Sequence, residues 1–312
     1  MTETIVEARV EGGRPEWLSR EEFPFRSRWL AVAGTKVHYL DEGEGPTMVF
    51  VHGGPAWLFV WRDVLRVLRS EFRCVAVDLP GAGLSAAPVD GGATLPAMAE
   101  AVAGVVSALD VRDAVLVVQD VGGPVALAAA VREPERWSGL VVSGSFAWPL
   151  TRTNPEVVRM LRFVGSRPFR LVNRWTNLLA RLTSTSAGVG RRLSREGRRA
   201  FRGPFRDAWR RDHAVRLLGD VVRRERFLAE LEAALRAHLA ELPAPLLFGE
   251  ADPGRKAGFE DRFAELLPRS RRRVVAGAHH FPQAEAPEEV AESIRAWYAA
   301  EVSAPRASRG RP

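Results

Sequence analysis

VLVVQDVGGPVALAAA, residues 115–130, decides the fold. Residues 115–118 are apolar and mostly β-branched, which suits a strand buried on both faces. Beyond Gly122 and Gly123, the small and apolar run 125–130 suits a helix packed on that strand. Asp120 stands at the corner between them. An aspartate there has two readings. It can cap the helix that follows, or it can present a carboxylate at the carboxyl end of a strand, where open parallel sheets gather their chemistry.

Working outward, strand-length apolar runs alternate with longer segments of helical period, the pattern of an α/β domain. TMVFVHG (47–53), FRCVAVD (72–78), GLVVSG (139–144), APLLFGEAD (244–252) and RRVVAG (272–277) join AVLVVQD (114–120) as buried parallel strands. SRWLAVAG (27–34) and TKVHYLDEG (35–43) read as an antiparallel pair turning at Gly34. VWRDVLRVLRS (60–70), TLPAMAEAVAGVVSALD (94–110) and GPVALAAAVREP (123–134) read as helices. After residue 150 the rhythm stops, and strand-like sequence resumes near Pro245. The expected organisation is therefore a core from 25–150 and 244–301, a helical cap inserted at 151–243, and a loose polar tail at 302–312.

A chain of 312 residues with 46% hydrophobic content can bury a large core. No apolar run approaches the ~20 residues of a membrane span, and the amino-terminal sequence lacks a basic start followed by an apolar stretch. A cytoplasmic location is the expectation. Cys74 has no partner for an internal disulfide and lies among apolar neighbours, as a buried structural thiol does. The net charge of +7 is concentrated: residues 151–243 carry 21 arginines against 9 acidic residues. With no recognisable base-reading module, that excess reads as a solvated helical surface rather than a nucleic-acid site.

Reactive residue types collect at strand ends. His52, Gly53 and Gly54 follow one strand, residues 78–88 follow another, Asp120 a third and Asp252 a fourth. VVAGAHHFPQAEAPEEV (274–290) then supplies His279 and His280. Glu250 competes with Asp252, and His279 with His280. His38, His213 and His238 are scattered and suggest no metal site.

The order of nucleophile, acid and late histidine resembles that of the α/β-hydrolase superfamily. With aspartate at the nucleophile position, QDVGGP (119–124), FAWP (146–149) and FRGPFRDAWRRD (201–212) are similar to haloalkane dehalogenases and, more distantly, epoxide hydrolases. The resemblance implies a mostly parallel eight-stranded sheet with helices on both faces and an inserted cap. It implies a hydrolase needing no cofactor or metal, acting on a small apolar organic substrate and water. Asp120 would form an alkyl-enzyme ester, His280 would activate the hydrolytic water, and Asp252 would orient His280. Backbone N–H groups of Gly54 and Val121 would form the oxyanion hole. His52 and Ser85 would shape loops.

The sequence departs from that family at the leaving group. Dehalogenases place a tryptophan directly after the nucleophile and an asparagine where HGNP would put it; Val121 and Gly54 stand there instead. Epoxide hydrolases use two cap tyrosines, but Tyr39 and Tyr298 both lie outside 151–243. Fluoroacetate dehalogenases place an arginine at the position of Val121. Trp148, Trp175 and Trp209 are candidate substitute contacts for substrate or leaving group. Opening of an epoxide or other strained ring, and a non-catalytic binding role, are the alternative functions.

Overall fold

A computed structural model describes residues 14–303 except 33, 89–91, 93 and 187. Residues 304–312 of the expected loose tail lie outside the described residues.

Eight strands form one sheet: β1 (Arg28–Val32), β2 (Thr35–Glu42), β3 (Thr47–Val51), β4 (Arg73–Val77), β5 (Ala114–Gln119), β6 (Trp137–Ser143), β7 (Ala244–Gly249) and β8 (Ser270–Val275). Their spatial order is β1-β2-β4-β3-β5-β6-β7-β8. β1 and β2 are antiparallel with Val32 opposite Thr35, and β2 meets β4 antiparallel; the other pairings are parallel. Gly34 turns the β1–β2 hairpin at a φ of 70°, a backbone state that costs glycine little.

The central strands are buried on both faces, and their side chains divide with period two. Val49, Val51, Leu116 and Val118 point to one core layer, whereas Met48, Phe50, Val115 and Val117 point to the other. The first layer is closed by α2 (Leu95–Ala108), α3 (Gly122–Ala130) and α12 (Phe259–Leu266). The second is closed by α1 (Arg62–Leu68) and α14 (Pro287–Trp297), with α13 (Pro282–Glu285) beside them. The short α11 (Pro253–Lys256) follows β7.

β8 corrects one expectation. It is parallel to β7, but residues 271–274 are exposed, and among the described residues no strand pairs with its outer side. Arg271, Arg272 and Arg273 occupy this edge, where charge discourages pairing with another chain. Cys74 is wholly buried, and burial pushes its thiol up to about 12.

Between β6 and β7 run α4 (Leu150–Thr153), α5 (Pro155–Val164), α6 (Arg167–Thr176), α7 (Leu178–Thr183), α8 (Arg195–Arg202), α9 (Ala208–Arg223) and α10 (Glu225–His238). Helix α9 fastens this insertion to the sheet. Arg210 donates to the carbonyls of Gly81, Gly83 and Ser85 at 3.1, 3.1 and 2.9 Å. Asp220 accepts the N–H of Leu95 at 3.0 Å, satisfying a free donor at the start of α2. Trp57, before α1, donates its indole N–H to the Phe201 carbonyl of α8 at 3.1 Å.

Candidate active site

Asp120 sits between β5 and α3 at a φ of 48°, a left-handed conformation uncommon for a residue with a side chain. The chain reverses there within van der Waals reach of two other segments, and the following glycines permit it. A Cβ on Gly122 would meet the His52 carbonyl oxygen at 2.4 Å, and one on Gly123 would meet Ser145 Oγ at 1.8 Å. That Ser145 hydroxyl donates to the Asp120 carbonyl at 2.7 Å, holding the turn from below. Held strain at a strand end is a recurrent property of reactive positions.

Each oxygen of the Asp120 carboxylate has a polar neighbour. Oδ2 accepts the Gly54 N–H at 2.8 Å, while Oδ1 lies 3.6 Å from His280 Nε2. The other imidazole nitrogen, Nδ1, lies 3.2 Å from Asp252 Oδ1. Asp252 is wholly buried; its Oδ1 also accepts the Gly254 N–H at 2.7 Å, so the carboxylate cannot swing away from the ring. The expected Asp120, His280 and Asp252 are therefore contiguous, in the order carboxylate, imidazole, carboxylate. Burial alone would lower the pKa of His280, but Asp252 and Asp120 outweigh it and hold the imidazolium well above its ordinary range.

The competitors for these places are occupied elsewhere. Glu250 accepts the Gly277 N–H at 2.8 Å. His279 turns to Glu285, with Nδ1 at 3.0 Å from Oε2 and its backbone N–H on Oε1 at 3.0 Å. His52 donates through Nδ1 to the Gly53 carbonyl at 2.7 Å and accepts the Leu79 N–H at Nε2, 3.1 Å away, a pattern only the neutral ring satisfies. Its burial lowers its pKa in the same sense. Ser85 accepts the His38 N–H at 2.8 Å and donates to the Asp78 carbonyl at 2.7 Å, bracing the loop after β4.

Gln119 is a functional candidate that the sequence did not single out. Its Oε1 accepts the Gly53 N–H at 3.1 Å, and its Nε2 lies 3.3 Å from His280 Nε2 and 3.4 Å from the His280 carbonyl. One side chain thus ties the loop bearing Gly54 to the loop bearing His280. The available signal was a fully buried amide ending an otherwise apolar strand, since a buried polar group implies specific partners.

The side chains beside Gly54 are apolar. Val121 is wholly buried, and a Cβ built on Gly54 would lie 3.5 Å from Leu218 Cδ2 of α9 and 3.7 Å from Val121 Cγ1, both ordinary contacts. The three tryptophans do not gather here. Trp148 is 2% exposed and packs edge-on to Phe259 and Phe263 of α12. Trp209 is half-buried and stacks on His213, whose burial lowers its pKa to about 4. Trp175 is 79% exposed on α6, so the expectation that it lines the substrate space is corrected: the side of α6 that carries it faces solvent. No hydrogen bond from any of the three indoles to Asp120 occurs among the described residues, and no cluster suited to a metal ion occurs among them either.

A family model described as alpha/beta hydrolase fold matches residues 46–287. Haloalkane dehalogenase 2 of Mycobacterium tuberculosis is 30% identical over 282 residues, covering 87% of this chain and 94% of its own length. The cis-3-alkyl-4-alkyloxetan-2-one decarboxylase of Shewanella oneidensis is 28% identical over 285 residues, covering 87% of this chain and 88% of its own. Among solved structures, haloalkane dehalogenase DbeA from Bradyrhizobium elkani superposes with a TM-score of 0.77 at 22% identity, over 88% of this chain and 98% of that one.

Proposed function

The chain belongs to the α/β-hydrolase superfamily, in its haloalkane-dehalogenase-like part, and we propose that this enzyme uses Asp120 to displace a leaving group from carbon and then hydrolyses the resulting ester. The observation that carries the reading is the placement of Asp120: a carboxylate fixed at one oxygen by the Gly54 N–H and 3.6 Å from His280 at the other.

In the first half-reaction an Asp120 oxygen attacks the substrate carbon. The carbon–leaving-group bond breaks, the electron pair departs with the leaving group, and a neutral alkyl ester remains. This removes one of the two negative charges that raise the pKa of His280. The imidazole's pKa falls when the ester forms, so the proton is released at the stage that needs a base. In the second half-reaction His280 accepts a proton from water, and the oxygen attacks the ester carbonyl carbon. The oxyanion is stabilised by the N–H groups of Gly54 and Val121. Collapse expels the alcohol, which takes its proton from His280, and the Asp120 carboxylic acid left behind passes its proton to His280 to restore the starting pair. One substrate and one water yield one alcohol and one protonated leaving group.

A second reading rests on the apolar wall of Val121 and Leu218. A separate halide in a low-dielectric pocket needs hydrogen-bond donors, and this wall offers no side-chain donor. A strained cyclic ester releases a carboxylate that stays tethered to the substrate and is driven out by ring strain. The oxetanone decarboxylase relative makes a β-lactone the informative substrate to offer.

One experiment tests the shared step. His280→Phe, incubated with a bromoalkane and separately with a cis-dialkyl oxetan-2-one, is examined by intact-protein mass and peptide mapping. A stoichiometric adduct on Asp120 is the expected result. Absence of any adduct with both substrates, in a folded variant whose parent turns one of them over, removes the ester mechanism.

A further inference from the structure

Among the described residues, six of the seven large hydrophobic side chains exposed to solvent lie in one short piece of the insertion: Met160, Phe163, Leu171, Val172, Trp175 and Leu182. Helix α6 explains why. Its polar Arg170 and Asn173 point inward to α9, pairing with Asp212 at 2.9 Å and with the Arg211 carbonyl at 3.2 Å. Leu171, Val172 and Trp175, at i, i+1 and i+4, therefore share the outward side. The helix is amphipathic with its apolar side toward water, the reverse of a helix whose hydrophobic stripe meets its own core. Phe163 of α5 is exposed as well and meets Phe169 of α6 edge-on, at 5.6 Å between ring centres, one turn before Val172.

Cations border this surface. Arg162, Arg167, Arg174 and Arg181 are exposed, and none forms an ion pair among the described residues. From residue 152 to residue 181 the only acidic side chain is Glu156. Outward tryptophan and phenylalanine flanked by arginine is the composition of a helix lying in a membrane interface. A second copy of the chain fits poorly, because a two-fold contact would bring the same unpaired arginines against their own counterparts.

We propose that the outer face of α5–α7 docks on an anionic phospholipid surface, with Phe163 and Trp175 in the headgroup region and the flanking arginines on lipid phosphates. The contact has a consequence for catalysis. Both α5 and α6 pack on α9, and Leu218 of α9 stands over Gly54 beside the nucleophile. The lipid-facing layer is thus separated from the apolar wall of the site by one helix. A substrate dissolved in the bilayer would reach the site without crossing bulk water.

The test uses the full-length protein with sucrose-loaded vesicles of phosphatidylcholine alone and of phosphatidylcholine with 30 to 40% phosphatidylglycerol, in a co-sedimentation assay. Binding to the anionic vesicles, weakened by 0.5 M salt, is expected, with little binding to the neutral ones. Phe163→Ser with Trp175→Ser, and separately Arg167→Gln with Arg174→Gln, should each reduce the partition coefficient by about tenfold or more. These positions are exposed, and unchanged thermal unfolding and far-UV circular dichroism verify that the variants fold. No binding to anionic vesicles, or binding that both double variants leave intact, overturns the proposal. So does concentration-dependent self-association that the same substitutions abolish, since it would assign the face to a second copy; the catalytic reading stands independently of either result.

Discussion

The two sides of the Asp120 carboxylate are built on opposite principles. On the base side, Gly54 N–H, His280, Asp252 and Gln119 form a connected polar set around the carboxylate, with Asp252 held further by the Gly254 N–H and Gln119 by the Gly53 N–H. On the side of Gly54 proposed to face the leaving group, Val121 and Leu218 present only hydrocarbon. The contrast teaches that the two half-reactions are separable in structure. Under the proposed mechanism the groups that would resolve an ester on Asp120 stand together, whereas stabilisation of a departing ion would fall to the substrate or to backbone groups.

Removing the proposed nucleophile is the most severe way to break this comparison. Asp120→Ala should lower turnover of any accepted substrate by about 10⁴-fold or more, measured by product formation under saturating conditions. Restoring polarity on the empty side should sharpen it. Gly54→Asn combined with Leu218→Ala places an amide donor where Cβ already has ordinary contacts and frees the space beyond it. Halide release from a bromoalkane should rise by about 10- to 100-fold, measured against the parent with an ion-selective electrode. A rise of the same size with Gly54→Ala and Leu218→Ala would mean that space, not a donor, was limiting.

Disturbing the polar side at its margin should have a smaller effect. Gln119→Leu removes the amide between the two loops and should slow ester hydrolysis by about tenfold, leaving ester formation nearly unchanged. Single-turnover measurements of adduct decay separate the two. The subtlest expectation concerns protonation. Asp120→Asn mimics the uncharged ester, so the pKa of His280 should fall, as followed by its ring proton resonances. In the parent, the raised folded-state pKa stabilises the protein fully below the unfolded value for histidine, and this contribution is lost as pH rises through the folded value. Thermal unfolding across pH should show a smaller contribution of this kind in Asp120→Asn.

Much of this organisation was legible in the residue order. Parallel strands announce themselves as apolar runs, and Asp120 and Asp252 stand just past the ends of two of them, with His280 in the loop after a third. What stayed hidden depended on direction. The pair Val274 and Val275 made β8 resemble a central strand, and only its place in the sheet order reveals an edge. Helical period in 151–243 identified helices but not which stripe faces inward, so Trp175 on an outward apolar stripe could not be distinguished from a pocket tryptophan. Gln119 was obscured for a different reason: its importance lies in partners 66 and 161 positions distant along the chain.

The burial of Cys74 has a practical consequence for these experiments. With its thiol inside the sheet and pushed up to about 12 by burial, Cys74 is expected to be silent toward maleimide reagents. A cysteine introduced at Trp175 would therefore be the sole reactive handle. A single environment-sensitive fluorophore there could report in real time when the outer helices meet a surface, and whether that meeting precedes the chemistry at Asp120.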